Sequence, residues 1–274
     1  MEKKQSVSSQ KTLLFVVILC SCAALILSLV SEGLKTPQTQ AKELYKSKQL
    51  LLAAQILSYE GQINGSKASS EEILSIVEKR FLPRLVDDKG MLYTFEQAGL
   101  DPQTYLTEHA KLGYAHLPYK LIYVVKSDPS SPTPYGYVIP VNGYGLWDAI
   151  YGYLGLKANG DTILGMTWYD QKETPGLGGE ISLPEWQEQF IGKVIFQKNN
   201  RGETNVTKAS MGIKVVKTTV EETFGDRPIA ASAVDGIPGA SITVSGVNDA
   251  LRTSLTPYRP FLVRAYQGEV RIDE

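Results

Sequence analysis

The stretch from Asp235 to Val247, DGIPGASITVSGV, combines small residues with hydroxyl side chains in a pattern suited to a ligand or modification site. Gly239 and Ala240 remove bulk directly before Ser241, so another molecule could reach the Ser241 hydroxyl. A helix is predicted to begin near Thr243, and its first N–H groups and positive dipole end would favour a phosphate there. The same residues also fit a plain loop in which Ser241 or Thr243 caps the helix. Composition alone leaves both interpretations open.

A second glycine-rich segment, ETPGLGGEI, runs from Glu173 to Ile181. Glycines let successive backbone N–H groups converge on an anion or on the polar edge of a ring. The pattern is neither a phosphate-binding Walker loop nor a dinucleotide fingerprint. A ligand-binding loop and an ordinary surface turn are both compatible with it.

A third segment, NGYGLWDAIYGYLGL, is aromatic and runs from Asn142 to Leu156. Trp147 and the neighbouring tyrosines could form a flat surface on which a ring stacks. Packing of these aromatic side chains in the core is the commoner arrangement and is the alternative interpretation.

Several classes of function are disfavoured by composition. The chain has 28 basic and 29 acidic residues, a net charge of −1, and no basic stripe, which argues against nucleic acid as a partner. The only cysteines, Cys20 and Cys22, lie inside an apolar run, and the only histidines are His109 and His116. We therefore expect no disulfide framework, no metal site and no Ser-His-Asp hydrolase site, and we assign no catalytic residue.

The apolar run TLLFVVILCSCAALILSLV, from Thr12 to Val30, has no charged residue. Its length is close to the ~20 residues that cross ~30 Å of hydrocarbon. Lys3, Lys4 and Lys11 precede it and favour a cytoplasmic N-terminus. The run predicts a single-pass membrane anchor with the C-terminal bulk of the chain outside the cytoplasm.

A cleaved signal peptide and a lipoprotein anchor fit this apolar run less well. A cleaved signal peptide needs a small-residue cleavage site, and LVSEGL is a poor one. LCSC resembles a lipoprotein box ending at Cys22, but apolar residues continue well beyond that cysteine.

The rest of the pattern predicts an α+β fold. A long helix is predicted from Pro37 to Tyr59, and the spacing of Ser69 and Glu72 matches a capping box that starts a second helix. No clear pattern covers residues 82–118. Runs rich in β-branched and aromatic residues then predict a mostly antiparallel sheet, namely LIYVV, YGYVIPV, TILGMTWY, KVIFQ and IKVVKTTV. Short helices are predicted over LPEWQEQF and TVSGVNDALRTSL.

The predicted organisation has three parts. Residues 1–34 form a single N-terminal transmembrane helix and anchor, residues 35–118 form a helical or mixed stalk region outside the cytoplasm, and residues 119–274 form the sheet domain. No internal repeat or low-complexity tract interrupts this order.

Four segments occur in the order and spacing of one protein family: GYGLWDAIYGYLGL, TILGMTWYDQKETPGLGGEI, WQEQFIGK and VDGIPGASITVSGV. With the apolar anchor and the closing YRPFLVR, the chain resembles the C subunit of the sodium-translocating NADH:quinone oxidoreductase of bacteria. The resemblance is strong over residues 135–264. It implies an inner-membrane protein whose periplasmic domain carries FMN, held through its phosphate as an ester to a hydroxyl side chain.

The attachment motif of the family reads Asp-x-x-Ser-Gly-Ala-Thr. Asp235, Gly239 and Ala240 match this motif, and Pro238 replaces its serine. The resemblance places Ser241 at the acceptor threonine, and serine retains the nucleophilic oxygen. Thr243 matches a second hydroxyl of the family and is the alternative acceptor.

The other motifs take roles from the same resemblance. The residues that would lie along the flavin are Glu173, Thr174, Leu177 and Gly178. Leu146 and Trp147 would cover it with apolar surface. Charges and hydrogen bonds near a flavin ring set its redox potential, so these residues are expected to tune it.

The resemblance implies an electron carrier that passes electrons through covalent FMN towards a further flavin and quinone. The NADH site and ion channel would lie on partner subunits of the membrane complex, and a flavin transferase would install the FMN. One alternative is the corresponding subunit of the related ferredoxin:NAD electron-transport complex. Another, from a different class, is a membrane-anchored binding module without a redox role.

Overall fold

The computed structural model describes residues 9–272. Lys3 and Lys4, which contribute to the predicted orientation, lie outside these residues. The α-helices are α1 (Ser9–Ala53), α2 (Ser70–Arg80), α3 (Pro102–Glu108), α4 (Pro184–Gln187), α5 (Val220–Phe224), α6 (Ser241–Leu255) and α7 (Arg259–Tyr266). The strands are β1 (Gln62–Ile63), β2 (Ser66–Lys67), β3 (Phe81–Val86), β4 (Leu92–Tyr93), β5 (Lys120–Lys126), β6 (Pro134–Tyr144), β7 (Ala149–Lys157), β8 (Ile163–Asp170), β9 (Lys214–Val215) and β10 (Ala233–Val234). Short 3-10 helices span Gly178–Ser182, Glu188–Phe190, Pro228–Ser232 and Thr256–Tyr258.

The chain divides into two compact units, one ending at Lys46 and the other beginning at Ser47. The described part of the first unit is helical and belongs to α1. Large apolar side chains between Leu13 and Val30 are exposed along it. Within residues 9–272, this is the one helix long and apolar enough to cross a membrane, with a mean hydropathy of 3.0 over an 18-residue stretch. The long apolar N-terminal helix is therefore confirmed.

The second unit is built on a six-stranded antiparallel sheet in the order β4-β3-β5-β6-β7-β8. The sheet together with the helices confirms the predicted α+β class. β5, β6 and β8 lie where the runs LIYVV, YGYVIPV and TILGMTWY predict strands. A separate parallel pair joins the two-residue strands β9 and β10.

α6 packs along β6 on one face of the sheet. Its buried side chains Val244, Val247 and Leu251 join a core that includes Ile139 of β6 and Trp168 of β8. α6 is therefore held by apolar burial along its length, which fixes where its N-terminus lies.

The last turns of α1, from Ser47 to Ala53, belong to the second unit and pack on the other face of the sheet. Gly155 faces this side because it alternates with the core residue Leu154 along β7. A Cβ on Gly155 would lie 1.8 Å from the Ala53 carbonyl oxygen, so only glycine allows this contact. The sheet is thus buried on both faces.

Two strands, β3 and β4, lie before Tyr119, the residue at which the sequence predicts the start of the sheet domain. β3 pairs with β5 along its whole length, from Phe81 opposite Val125 to Val86 opposite Lys120. Pro83 interrupts the strand pattern in the sequence, but a proline is tolerated where its missing N–H faces no partner strand. β4 pairs only with Leu85 and Val86, so β3 is an edge at Pro83.

Two of the predicted strands are wrong or much shorter than predicted. KVIFQ forms only isolated bridges, at Val194 and Phe196. The N–H of Ile195 donates to the Asp161 carbonyl oxygen (3.0 Å), and the N–H of Phe196 donates to Asp161 Oδ1 (2.9 Å). These bonds to one residue take the place of a strand ladder. In IKVVKTTV only Lys214–Val215 is a strand.

Ser69 caps the start of α2 as the predicted capping box requires, because the N–H of Glu72 donates to Ser69 Oγ (3.1 Å). The apolar side chains of this helix differ in exposure. Ile73 is buried, whereas Leu74 is exposed.

Candidate functional site

The N-terminus of α6 lies at the end of the sheet where two loops meet. The turn between β6 and β7, residues 145–148, lies at this end because Tyr144 pairs with Ala149. The segment after β8 starts at the same end, since Asp170 pairs with Tyr151. The sheet therefore brings residues 145–148, 173–178 and 239–243 together, although they are distant in sequence.

The carboxylate of Glu173 is the centre of this site. Its Oε1 accepts a hydrogen bond from the Trp147 N–H (2.9 Å), and its Oε2 accepts one from the Leu146 N–H (3.0 Å). Oε2 also accepts a short hydrogen bond from the Thr243 hydroxyl. Only 5% of Glu173 is exposed. One buried side chain thus connects the β6–β7 turn to the first turn of α6.

Two opposing effects act on the pKa of Glu173. Burial acts to raise it, but hydrogen bonds from the Thr243 hydroxyl and from the Trp147 and Leu146 backbone outweigh burial, and the pKa lies below its ordinary value. Hydrogen bonds donated to a carboxylate favour its charged form. Glu173 is therefore ionised at neutral pH and accepts hydrogen bonds only.

The two hydroxyl candidates on α6 differ in their surroundings. Thr243 is 1% exposed, and its hydroxyl is engaged by Glu173. Ser241 is exposed and is the first residue of the helix. The residue at the cap position is Ala240, and no side chain caps this end within the described residues. The predicted capping role for Ser241 or Thr243 is therefore wrong, and the first N–H groups of α6 have no intrahelical partner.

Exposed apolar side chains surround this end of the sheet. We call them the apolar rim, and they are Tyr144, Leu146, Trp147, Leu177 and Ile242. Trp147 is 68% exposed, and its Nε1–H donates to Thr174 Oγ1 (3.1 Å). Such a concentration of exposed apolar side chains on a folded domain indicates a binding surface.

Both interpretations of the aromatic segment apply, each to different residues. Trp147 is exposed in the turn between β6 and β7, whereas Tyr153 is buried on β7. The Tyr153 ring stacks on Tyr169 with centroids 4.9 Å apart. Part of the segment is therefore core, and part of it is available to a ligand.

Two of the predicted glycines lie in close contact with the site. A Cβ on Gly178 would lie 2.8 Å from Glu173 Oε2. Gly239 has a φ of 78°, and a Cβ there would lie 2.9 Å from Leu177 Cδ2. Ser241 thus lies between Gly239, which contacts Leu177 of the apolar rim, and Thr243, which contacts Glu173.

Asp235 is a predicted site residue whose hydrogen bonds lie outside the Glu173 cluster. Its Oδ1 accepts a hydrogen bond from the N–H of Val220 (2.7 Å) at the start of α5. Its carbonyl oxygen accepts one from Trp186 Nε1 (3.1 Å). These bonds fix the loop that leads into α6. They join Asp235 to Val220 and Trp186 and do not involve Ser241.

Ile242 of the apolar rim is not among the site residues that the sequence predicts, whereas Tyr144 belongs to the aromatic segment around Trp147. Ile242 is an apolar residue directly between the two hydroxyl candidates, a position that would be polar in an ordinary solvent-facing helix start. That placement is the signal in the sequence that could have identified it.

Comparison with known proteins identifies the domain that contains these residues. The family model described as the FMN-binding domain matches residues 145–256, which include Leu146, Glu173 and Thr243. The chain is 35% identical over 287 residues to the C subunit of the Na(+)-translocating NADH-quinone reductase of Chlamydia pneumoniae, covering 91% of this chain and 90% of that protein. It is 30% identical over 273 residues to the protein of the same name from Vibrio anguillarum, covering 95% of this chain and 96% of that protein.

A solved structure of a protein with the same name is also similar to this chain. The crystal structure of the C subunit of the Na(+)-translocating NADH-quinone reductase from Parabacteroides distasonis superposes with a TM-score of 0.58 at 29% identity, covering 84% of this chain and 96% of that chain. Its fold and the near full-length identities above agree with the four sequence segments that carry the resemblance. The chain belongs to the family of C subunits of the Na(+)-translocating NADH-quinone reductase, an oxidoreductase.

Proposed function

We propose that this chain is the flavin-carrying electron-transfer subunit of a Na(+)-translocating NADH-quinone reductase, and that it holds FMN covalently as a phosphoester of Ser241. Family membership and the matching FMN-binding domain support the flavin. The observation that carries the attachment site is the exposed Ser241 hydroxyl, which lies at the uncapped N-terminus of a 15-residue helix.

The residues at this end of the sheet suit both parts of an FMN molecule. The first N–H groups of α6 and its dipole favour a phosphate group. The apolar rim, with Leu146, Trp147 and Leu177, offers surface that an aromatic ring system would cover. Thr174 and nearby backbone groups supply polar contacts for a ring edge. When bound, FMN would supply the electron-accepting and electron-donating chemistry.

Ser241 is preferred to Thr243 as the acceptor because of burial and hydrogen bonding. The Thr243 hydroxyl is buried and donates a hydrogen bond to Glu173, so its oxygen is shielded from an incoming phosphorus. Ser241 is exposed to solvent. Serine provides the same nucleophilic oxygen as the threonine of the family motif.

Attachment is a phosphoryl transfer with no change in oxidation state. Ser241 Oγ forms a bond to the FMN phosphorus, and a bond from that phosphorus to a leaving group breaks. The donor is an activated flavin in which the FMN phosphate is joined through a phosphoanhydride to a nucleoside monophosphate. The Ser241 proton passes to a base of the flavin transferase, and the nucleoside monophosphate leaves with the bonding electron pair.

We place the chain in a bacterial inner membrane through the apolar segment of α1, with the sheet domain in the periplasm. The mean hydropathy of that helix supports the anchor, and the lysines before it support the orientation. Its partners would be the other subunits of the complex and, during maturation, the flavin transferase.

The division into residues 1–34, 35–118 and 119–274 is proposed as a division of roles: anchor, docking region and FMN-binding domain. Residues 35–118 supply β3 and β4 to the sheet. Docking by β3 and β4 would therefore use a surface of the folded domain rather than a separate module.

The test compares the full chain with Ser241→Ala and Ser241→Thr after co-expression with a flavin transferase. We expect the wild type and Ser241→Thr to give a fluorescent band on a denaturing gel under ultraviolet light, and Ser241→Ala to give none. Peptide mass spectrometry of residues 228–252 should locate the adduct on residue 241. Ser245→Ala, on the exposed side of the same helix, is the matched control.

Two results would contradict the proposal in different ways. An adduct on Thr243, or one that persists in Ser241→Ala, would transfer the attachment to Thr243. A dark band for the wild type in cells that contain the transferase would favour a binding module without a redox role.

A further inference from the structure

The carboxylate of Glu173 forms most of its hydrogen bonds inside the protein. Its carboxylate accepts hydrogen bonds from the Leu146 N–H, the Trp147 N–H and the Thr243 hydroxyl. Gly178 lies directly against Oε2. A carboxylate has roughly four acceptor positions, and three of them are used inside the protein. Little of it is left for a bound molecule.

The contact with Thr243 is the polar tie between α6 and the β6–β7 turn. Thr243 and Glu173 are 70 residues apart in the chain. No side chain caps α6 within the described residues, so this bond does part of what a cap does by fixing the first turn. Ser241 lies on that same turn, two residues before Thr243.

On the basis of the attachment proposed above, we infer that Glu173 is a positioning residue for flavin attachment. It holds the Thr243 hydroxyl and the Leu146–Trp147 backbone with one buried carboxylate, and this fixes the first turn of α6 beside the apolar rim. The same bond withdraws the Thr243 hydroxyl from reaction and leaves Ser241 as the free acceptor. Glu173 acts through Thr243 and the turn rather than on the flavin itself.

The low pKa of Glu173 agrees with this role, because an ionised carboxylate can accept all three hydrogen bonds at neutral pH. A glutamine at this position would place an NH₂ group against at least one of the three donors. Glu173→Gln therefore disturbs the contacts with almost no change in side-chain volume.

The test measures the initial rate of adduct formation on the purified full chain, with the flavin transferase and a saturating activated flavin. We expect Glu173→Gln and Thr243→Val to attach FMN at Ser241 about tenfold more slowly, since small displacements of a reacting group carry penalties of this size. Glu185→Gln, at an exposed carboxylate on α4, is the control and should match the wild type. The Michaelis constant for the flavin donor should stay unchanged.

Thr243→Ser distinguishes positioning from packing. Serine keeps the hydroxyl and loses the methyl group, whereas valine keeps the volume and loses the hydroxyl. We expect Thr243→Ser to attach FMN at the wild-type rate. The double variant Glu173→Gln/Thr243→Val should be no slower than either single variant, because both remove one contact. Hydrogen exchange at the Leu146 and Trp147 amides should accelerate in the Glu173 variant.

The outcomes separate this inference from the proposed function. If the wild type gains FMN at Ser241 and Glu173→Gln does so equally fast, the positioning role is overturned and the attachment site stands. A Thr243→Ser variant as slow as Thr243→Val would also overturn it. If the wild type carries no adduct at Ser241, the proposed attachment itself fails.

Discussion

Trp147 combines a large exposed ring with a fixed polar contact. Trp147 is 68% exposed, whereas Trp168 and Trp186 are buried in the core. Its Nε1–H is held by Thr174, which sets the orientation of the ring. An exposed aromatic ring held in one orientation is suited to cover a flat ligand.

We predict that Trp147→Phe leaves FMN attached but changes the absorption spectrum and midpoint potential of the flavin. The substitution removes the hydrogen bond to Thr174 and shrinks the apolar cover. Because the ring is exposed, the free energy of unfolding should change by less than about 0.5 kcal/mol. Tyr266→Phe, at an exposed aromatic residue on α7, is the control. An unchanged spectrum and potential would remove Trp147 from the flavin environment.

The candidate residues can be identified from the sequence, but their exposure and their contacts with one another cannot. Ser241 and Thr243 are both hydroxyl residues of one short stretch, and nothing local distinguishes the exposed one from the buried one. The distinction depends on Glu173, which is 70 residues away from Thr243 in the chain. Contacts of this kind are decided by the packing of α6 on the sheet.

At the scale of the elements, the position of α6 depends on its close approach to the end of β6. A Cβ on Gly246 would lie 2.0 Å from the Tyr144 carbonyl oxygen, so α6 has no space for a larger residue there. Farther along the helix, Ala250 packs on Gly143, where a Cβ would lie 2.5 Å from the Ala250 Cβ. Small residues thus set the distance between helix and sheet.

We predict that Gly246→Ala lowers the free energy of unfolding by about 1–3 kcal/mol, because the added methyl group forces the helix away from backbone atoms. The direction is diagnostic, since alanine in a helix is intrinsically about 1 kcal/mol more favourable than glycine. Ser245→Ala, exposed one residue earlier, should not destabilise the chain. Denaturation followed by circular dichroism measures both. A stabilised Gly246→Ala variant would show that the close approach is absent.

The strands that the sequence predicts correctly are those with an uninterrupted strand pattern. β5, β6 and β8 are of this kind. β3 is not predicted because Pro83 interrupts its strand pattern. β7 is not predicted either, because glycines interrupt its pattern and its tyrosines suggest a stacking surface instead of a strand. KVIFQ has a strand composition, but the N–H groups of Ile195 and Phe196 bond to Asp161, a tertiary contact that local sequence does not reveal.

At the scale of the whole molecule, α1 carries the exposed apolar segment that a membrane would cover. Exposed large side chains run from Leu13 to Val30 in this segment. In water such a surface would drive association with other chains or with lipid.

We predict that the chain stays in the membrane fraction after washing with high salt and with alkaline carbonate, and that detergent releases it. A matched variant with Leu19→Arg and Leu25→Arg should lose this retention, since each charge costs about 2.5–3.5 kcal/mol at the centre of a membrane helix. Fractionation and immunoblotting measure both chains. A soluble mature protein whose N-terminus lies beyond Val30 would contradict the anchor.

The pairing of β3 with β5 has a consequence for how the sheet domain can be separated from the rest of the chain. A fragment beginning at Tyr119 would lack β3 and β4, and β5 would become the edge of the sheet. β5 has the sequence KLIYVVK and is mostly buried, so its free edge would be long and apolar. Edges of this kind pair with strands of other molecules and cause aggregation. A soluble fragment should therefore begin at Ser47, where the second compact unit starts.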